Sequence, residues 1–318
     1  MTIFTVQRYH SGLEDQWESV LERSINGTFM HSRKFISYHG DRFEDFSLLI
    51  YRGGDLVALL PAEKEGKKVF SHRGLTYAGW IVAPGLDEAD SEGMIGATLA
   101  YLGSHKLETL MIKSVPEFYY TTFSQALSRA FQRQNPEVLK TQKHYTTSLP
   151  FRIKDRGKLW GRKKAIAHGL RVGRSDDFKV FWENILIPNL QERHATRPVH
   201  KLEEIMLLRE RFPENIQLYL VFDREGAVGG SVLFVTPEVA HTQYIASTPA
   251  GRNMRALDLL MTTLLEETFS EKKYFSMGIS DEPDTGLPNE GLVKWKESLG
   301  AKTYGQWFYE FDLNPGPL

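Results

Sequence analysis

HTQYIASTPAGRNMRALDLLMTTLLEETFSEKKYFSMGIS, residues 241–280, is the stretch whose reading decides the fold. His241 to Thr248 alternates and is rich in β-formers, which predicts a strand. Pro249 and Gly251 end it. A helix-length apolar run follows from Met254 to Phe269, and a second short strand signal lies around Tyr274 to Ile279. A strand that stops at a glycine turn and feeds a helix leaves backbone N–H groups free at the helix start. With the helix dipole, such groups can hold a phosphate. Arg252 and Arg255 add positive charge beside the turn. The other reading is an ordinary βαβ connection, and this stretch alone leaves both open.

Working outward, the same order of signals appears twice. The first half gives a hairpin, FSLLIY at 46–51, the turn RGGD, then LVALLPAEKEG at 56–66. A helix pattern at 88–102, a strand at 107–113, an amphipathic helix at 121–133 and a strand at 145–151 complete it. The second half gives IQLYLVF at 216–222, the turn DREG, and AVGGSVLFV at 227–235. Strand 241–248, helix 253–269, strand 273–279, helix 290–299 and strand 304–312 follow. Ile50 and Val221 lie 171 residues apart, and Leu107 and Tyr274 lie 167 apart. A duplicated α/β unit explains this order best, with domains expected at 1–150 and 151–318.

Bulk properties narrow the function. The chain has 318 residues and a net charge of -1, which argues against a general polyanion binder. It has no cysteine, so disulfides, thiolate nucleophiles and cysteine zinc sites are excluded. The N-terminus has no basic segment leading into an apolar one, and no run nears the roughly 18 apolar residues of a membrane span. A soluble cytoplasmic protein is expected. Residues 151–174 carry nine Lys or Arg and one acid, a local basic patch. It reads as a solvated helix face, a phosphate-bearing ligand site or an RNA contact. No P-loop, dinucleotide-binding or nucleophile-elbow motif is present.

Three short pieces carry candidate chemistry. His194 and His200 flank Arg197 in ERHATRPVH. Without a third ligand nearby, they read as polar lining of a substrate cleft, and no metal is expected. Asp281, Glu282 and Asp284 form an acidic turn, suited to an amine if not simply surface. In EGLVKWKESLG, residues 290–300, a helix puts Leu292 at 0°, Trp295 at about 300° and Leu299 at about 340°. Lys296 falls at about 40°, inside that apolar arc, and Lys294 at about 200°, facing water. Lys296 either snorkels out or keeps its head in a cleft. In a cleft it can neutralise charge developing on a substrate, at a pKa lowered from about 10.4 by desolvation.

Together SHRGLTYAGW (71–80), GRKKAIAHGLRV (161–172), RHATRPVHKLEEIMLLRERFPENIQLY (193–219), HTQYIASTPAGRNMRALDLL (241–260) and YFSMGISDEPDTGLPNEGLVKWKESLGA (274–301) resemble the FemAB-like branch of the GNAT superfamily of N-acyltransferases. The resemblance implies two tandem GNAT-like units, each a mixed, mostly antiparallel sheet flanked by helices. It implies acyl transfer to an amine, with acetyl-CoA or another acyl-CoA as donor. The acceptor would be a small, possibly nucleotide-linked cell-envelope precursor such as an amino sugar. Fem-type members instead take aminoacyl groups from charged tRNA and act on peptidoglycan precursors. A non-catalytic binding protein of the same fold is the third reading. The family's aromatic–lysine pair matches Trp295-Lys296, and its phosphate-binding turn matches Gly251, Arg252, Asn253, Met254 and Arg255, with a changed spacing. Glu282 is the candidate base. Tyr77, His194, Arg197, His200, Gln243 and Tyr244 are the candidate acceptor-side residues.

Overall fold

The computed structural model describes residues 3–122, 124–194, 196–282 and 285–314, including all their side chains except those of Arg193 and His194. The strands in chain order are β1 (Phe4–Arg8), β2 (Glu44–Asp45), β3 (Leu48–Arg52), β4 (Asp55–Leu60), β5 (Glu63–Glu65), β6 (Lys68–Phe70), β7 (Ile81–Val82), β8 (Thr109–Lys113) and β9 (Glu137–Ser148). They continue with β10 (Arg171–Ser175), β11 (Ile216–Phe222), β12 (Ala227–Val235), β13 (Val239–Ser247), β14 (Tyr274–Ser276) and β15 (Lys302–Asp312). The helices used below are α1 (Glu14–Arg23), α2 (Glu88–Ser104), α3 (Gln125–Arg133), α4 (Arg156–Ala167), α5 (Leu202–Arg211), α6 (Ala256–Thr263) and α7 (Glu290–Glu297).

The chain forms two compact units, Met1–Gln142 with Gly305–Leu318, and Lys143–Tyr304. These are not the two collinear halves, 1–150 and 151–318, that the repeat predicts. The last strand of each half is placed differently. Thr146, Thr147 and Ser148 of β9 pair antiparallel with β14 in the second unit. Phe308 to Asp312 of β15 pair antiparallel with β8 in the first. Apolar alternation tells a strand which face to bury, but not which neighbour to bond.

In the first unit, β3 and β4 are joined by Gly53 and Gly54, both at positive φ, the backbone a tight hairpin turn needs. Its core gathers Leu48, Ile50, Leu60, Met94, Leu110 and Phe311. In the second unit the sheet runs β10–β11–β12–β13–β14–β9. The DREG turn between β11 and β12 is closed by Asp223 Oδ1, which accepts from Glu225 N and Gly226 N. Val221, Leu233, Leu260, Leu264, Phe275 and Leu299 form its core. The apolar run after the glycine turn is α6 followed by a π-helical stretch, Leu264–Thr268. Two element offsets equal 165 residues, Thr109 to Tyr274 and Gln125 to Glu290, as a duplicated unit requires. No helix among the described residues is long and apolar enough to cross a membrane.

Candidate active site

β13 and β14 are parallel, but pair only from Val239–Tyr274 to His241–Ser276. Beyond Ser276, β14 ends while β13 runs on to Ser247, so the two strands part. On its other side β13 bulges. Val232 pairs with Tyr244 and Leu233 with Thr242, which leaves Gln243 as the extra residue. Gly278 turns the chain after β14 at φ 67. Into this region α7 delivers Lys296. The side chain is buried, at 3% exposure. Its Nζ donates to Gly278 O at 3.2 Å and Ile279 O at 2.5 Å, and stands 5.3 Å from the centre of the Tyr145 ring. Burial pulls its pKa down to about 7, against a smaller upward pull from Asp281. Lys294, two residues earlier, is exposed beside Glu290. The helical arc thus separates the two lysines as the sequence predicts. It misplaces Leu292, which is 39% exposed, because Leu292 stands in the first turn of α7, while the inward-packing residues Trp295, Lys296 and Leu299 lie towards its end and just past it.

Around Lys296 lie groups that titrate or hydrogen-bond. His241 is buried, its Nδ1 3.1 Å from Ser276 Oγ. Desolvation, with His144 and Lys296 nearby, holds its pKa near 3, so the ring is neutral. The hydroxyls of Thr146 and Ser280 are buried without a hydrogen-bond partner among the described residues. Buried orphan hydroxyls invite a ligand or ordered water.

The other expected residues fall into separate places. Trp295 packs on the second core and lies 5.4 Å under Lys158 Nζ, which pairs with Asp258 at 2.9 Å. Glu282 is exposed and accepts from Asn289 Nδ2, so it braces its own turn. Asp281 is the carboxylate whose field reaches Lys296 and Tyr145. Asp284 and the His194 side chain lie outside the described residues. His200 and Tyr244 do meet, Nδ1 to OH at 2.6 Å, and Trp182 packs edge-on against the phenol. Burial raises the Tyr244 pKa to about 12, against smaller downward pulls from the His200 backbone and the Gln243 side chain. Arg197 is exposed. Tyr77 is fully buried in the first unit, between Thr28 Oγ1 at 3.3 Å and the Tyr119 ring at 4.2 Å, where it acts as core.

The glycine turn is built as expected, but its donors are engaged. Thr248 Oγ1 caps Gly251 N at 3.0 Å, and Arg252 N bonds Thr248 O at 2.9 Å. Gly251 is obligatory, since a Cβ there would stand 2.1 Å from Val228 O. The Arg252 guanidinium bonds Ser247 O at 3.2 Å and Glu192 at 3.1 Å. Arg255, at φ 66, pairs with Asp258 at 2.7 Å. Asn253 is exposed, and Met254 packs on the core.

No protein-family model and no curated protein matches this chain. Solved structures do. The structure of FemX matches with a TM-score of 0.70 at 12% identity, covering 97% of this chain and 98% of FemX. L-PGS from Bacillus licheniformis matches at 0.58 and 14% identity, covering 95% and 92%. A tandem GNAT protein from the clavulanic acid biosynthesis pathway matches at 0.54 and 12%, covering 100% of both chains. The fold is FemAB-like and GNAT-related. Within this FemAB-like fold, His241 and Ser276 are the residues near Lys296 that sequence reasoning missed, while Asp281 was named only as part of the acidic turn. His241 sits in the very stretch quoted at the outset, but alternation alone says nothing about a partner 35 residues away.

Proposed function

We propose that this chain transfers an acyl or aminoacyl group to an amine, with Lys296 as the catalytic cation. The observation that carries the reading is the buried ammonium at the β13–β14 divergence, held by two backbone carbonyls. Three N–H donors and two protein acceptors leave one donor for a substrate oxygen. In the reaction, a neutral amine attacks the carbonyl carbon of a thioester or ester. The carbonyl oxygen gains negative charge, which the remaining Lys296 N–H stabilises. The tetrahedral species collapses, expelling thiolate or alkoxide, and the ammonium proton is lost to water or to a carboxylate. Asp281 suits that role better than Glu282, being the acid whose field reaches Lys296. The His200–Tyr244 pair and Gln243 would orient the acceptor.

Acyl-CoA is the donor to test first. One observation favours an aminoacyl ester instead: Arg252 and Arg255 are already paired with Glu192 and Asp258, so neither guanidinium stands free for a pyrophosphate. The deciding experiment offers the purified protein acetyl-CoA, longer acyl-CoAs and aminoacyl-tRNA, each with a panel of primary amines, and follows transfer by mass spectrometry. Transfer from one donor class that is lost in Lys296→Ala supports the reading. Binding of ligands with no transfer from any donor would replace it with a non-catalytic binding protein.

A further inference from the structure

The first unit contains a cavity of about 630 Å³ for which the acyl-transfer reading has no use. It opens where two chain segments part. Ala78 N still bonds Lys113 O at 2.8 Å. Past that bond, Ile81 and Val82 leave to pair with β4, while Ser114 turns to β15, its N–H bonding Trp307 O at 2.9 Å. α3 closes the gap with Leu127, Ser128, Phe131 and Gln132. The wall is aromatic: Trp80 meets Phe131 edge-on at 5.5 Å, and Phe131 meets Tyr309 at 4.7 Å. Glycine keeps the space open at Gly79, where φ is 106, and at Gly305, where a Cβ would come within 3.2 Å of Trp307 Nε1. Val138 and Trp307 also line the cavity while remaining 51% and 44% exposed, so apolar surface continues from the cavity to solvent.

Charge selects among ligands. The lining includes no Lys, Arg or His and one carboxylate, Glu117. Glu117 forms no ion pair among the described residues, and its field helps burial raise the Tyr120 hydroxyl to about 12. A phosphate or polyphosphate would find no cation here and would meet an anion. An apolar body finds aromatic walls, and a cationic head finds Glu117. The volume lies in the range of pockets that enclose drug-sized ligands.

We infer that the first unit carries a separate binding site for a small amphiphilic amine, its aliphatic or aromatic body against Trp80 and Phe131 and its ammonium at Glu117. The site is independent of Lys296 and of any transfer reaction. Calorimetry on the full chain at pH 7, with octylamine, octanol and octanoate as probes, tests it. Octylamine should bind one per chain, about fivefold tighter than octanol, the scale of one exposed ion pair. Octanoate should bind more weakly than either. Glu117→Gln should bring amine and alcohol to equal affinity. Ser128→Trp, at an exposed position of α3 lining the cavity, should cut octylamine binding about tenfold or more at an unchanged melting temperature. If that variant does not fold, Gln132→Trp on the same face serves instead. No saturable binding of octylamine or octanol overturns the site, as does binding that neither tryptophan variant weakens. Equal affinities for amine and alcohol in the unsubstituted chain would overturn the assignment of Glu117.

Discussion

Lys296 is buried, yet its ammonium has two carbonyl partners and a pKa near 7, which makes its charge a variable at working pH. As an oxyanion donor it must be protonated, so the transfer rate should fall as pH rises through about 7. Lys296→Arg, with a guanidinium that stays charged, should remove that alkaline limb while lowering the rate by altered geometry. A rate that instead climbs through pH 7 and loses its climb in the arginine variant would make Lys296 a base. Removing the donor with Lys296→Ala should cost about 100- to 1000-fold in kcat. The same shift has a stability consequence. The unfolded lysine titrates near 10.4 and the folded one near 7, so between these values the unfolded chain binds more protons. Folding stability attributable to Lys296 is therefore lowest below pH 7 and rises towards pH 10. In chemical denaturation, wild type should gain a few kcal/mol relative to Lys296→Met between pH 7 and pH 10, as the cost of burying the ammonium disappears. The residue itself was legible from its position on a helical wheel. Its carbonyl partners were not, because Gly278 and Ile279 lie 18 and 17 residues away across a turn whose path periodicity does not encode.

The turn from Thr248 to Ala256 shows how an element can be readable while its use is not. Strand, proline–glycine break and helix all stand where the alternation and the breakers put them. What the sequence could not display is that Glu192 and Asp258 reach the two arginines, one of them 60 residues away. Two substitutions probe this element. Gly251→Ala drives a Cβ against Val228 O and should cost about 3 kcal/mol, the upper end for overpacking. Asp258→Ala removes the shared partner of Lys158 and Arg255 and leaves a largely buried ammonium unpaired, at a cost of about 3–5 kcal/mol in denaturant titrations. The α4 segment supplies Lys158 and Arg162, the latter paired with Glu266 and Glu267. Part of the basic patch thus fastens α4 to the helix after the turn. A net count of charges along 151–174 reads the patch as solvated because its acids come from about 100 residues further on.

At the scale of the whole molecule, the duplication was legible and the assignment of strands to units was not. A repeat search aligns two copies in order and treats each as closed, so it hands β9 to the first copy and β15 to the second. Hydrogen bonding gives Thr146 to Ser148 to the second unit and Phe308 to Asp312 to the first. The difference is testable by cutting the chain. A fragment of residues 1–150 keeps β6 beside β8 but lacks β15 on its other side, and one of residues 151–318 keeps β13 beside β14 but lacks β9 on its other side. Each then exposes an unpaired strand edge along with the apolar face it carried. Leu110 and Phe311 share a core in the first unit, so the missing β15 opens a buried layer there, and in the second the missing β9 takes away the buried Tyr145 and Thr147, the latter's hydroxyl bonding Leu299 O. Neither collinear fragment should give a dispersed amide spectrum or a cooperative melt alone. Mixed during refolding, they should recover both. Residues 143–304, which keep five strands of the second unit's sheet whole and the Thr146–Ser148 part of β9 that pairs with β14, should fold by themselves. Cooperative folding of both collinear halves, with 143–304 unfolded, would return the boundary to residue 150 and make the strand exchange incidental to stability.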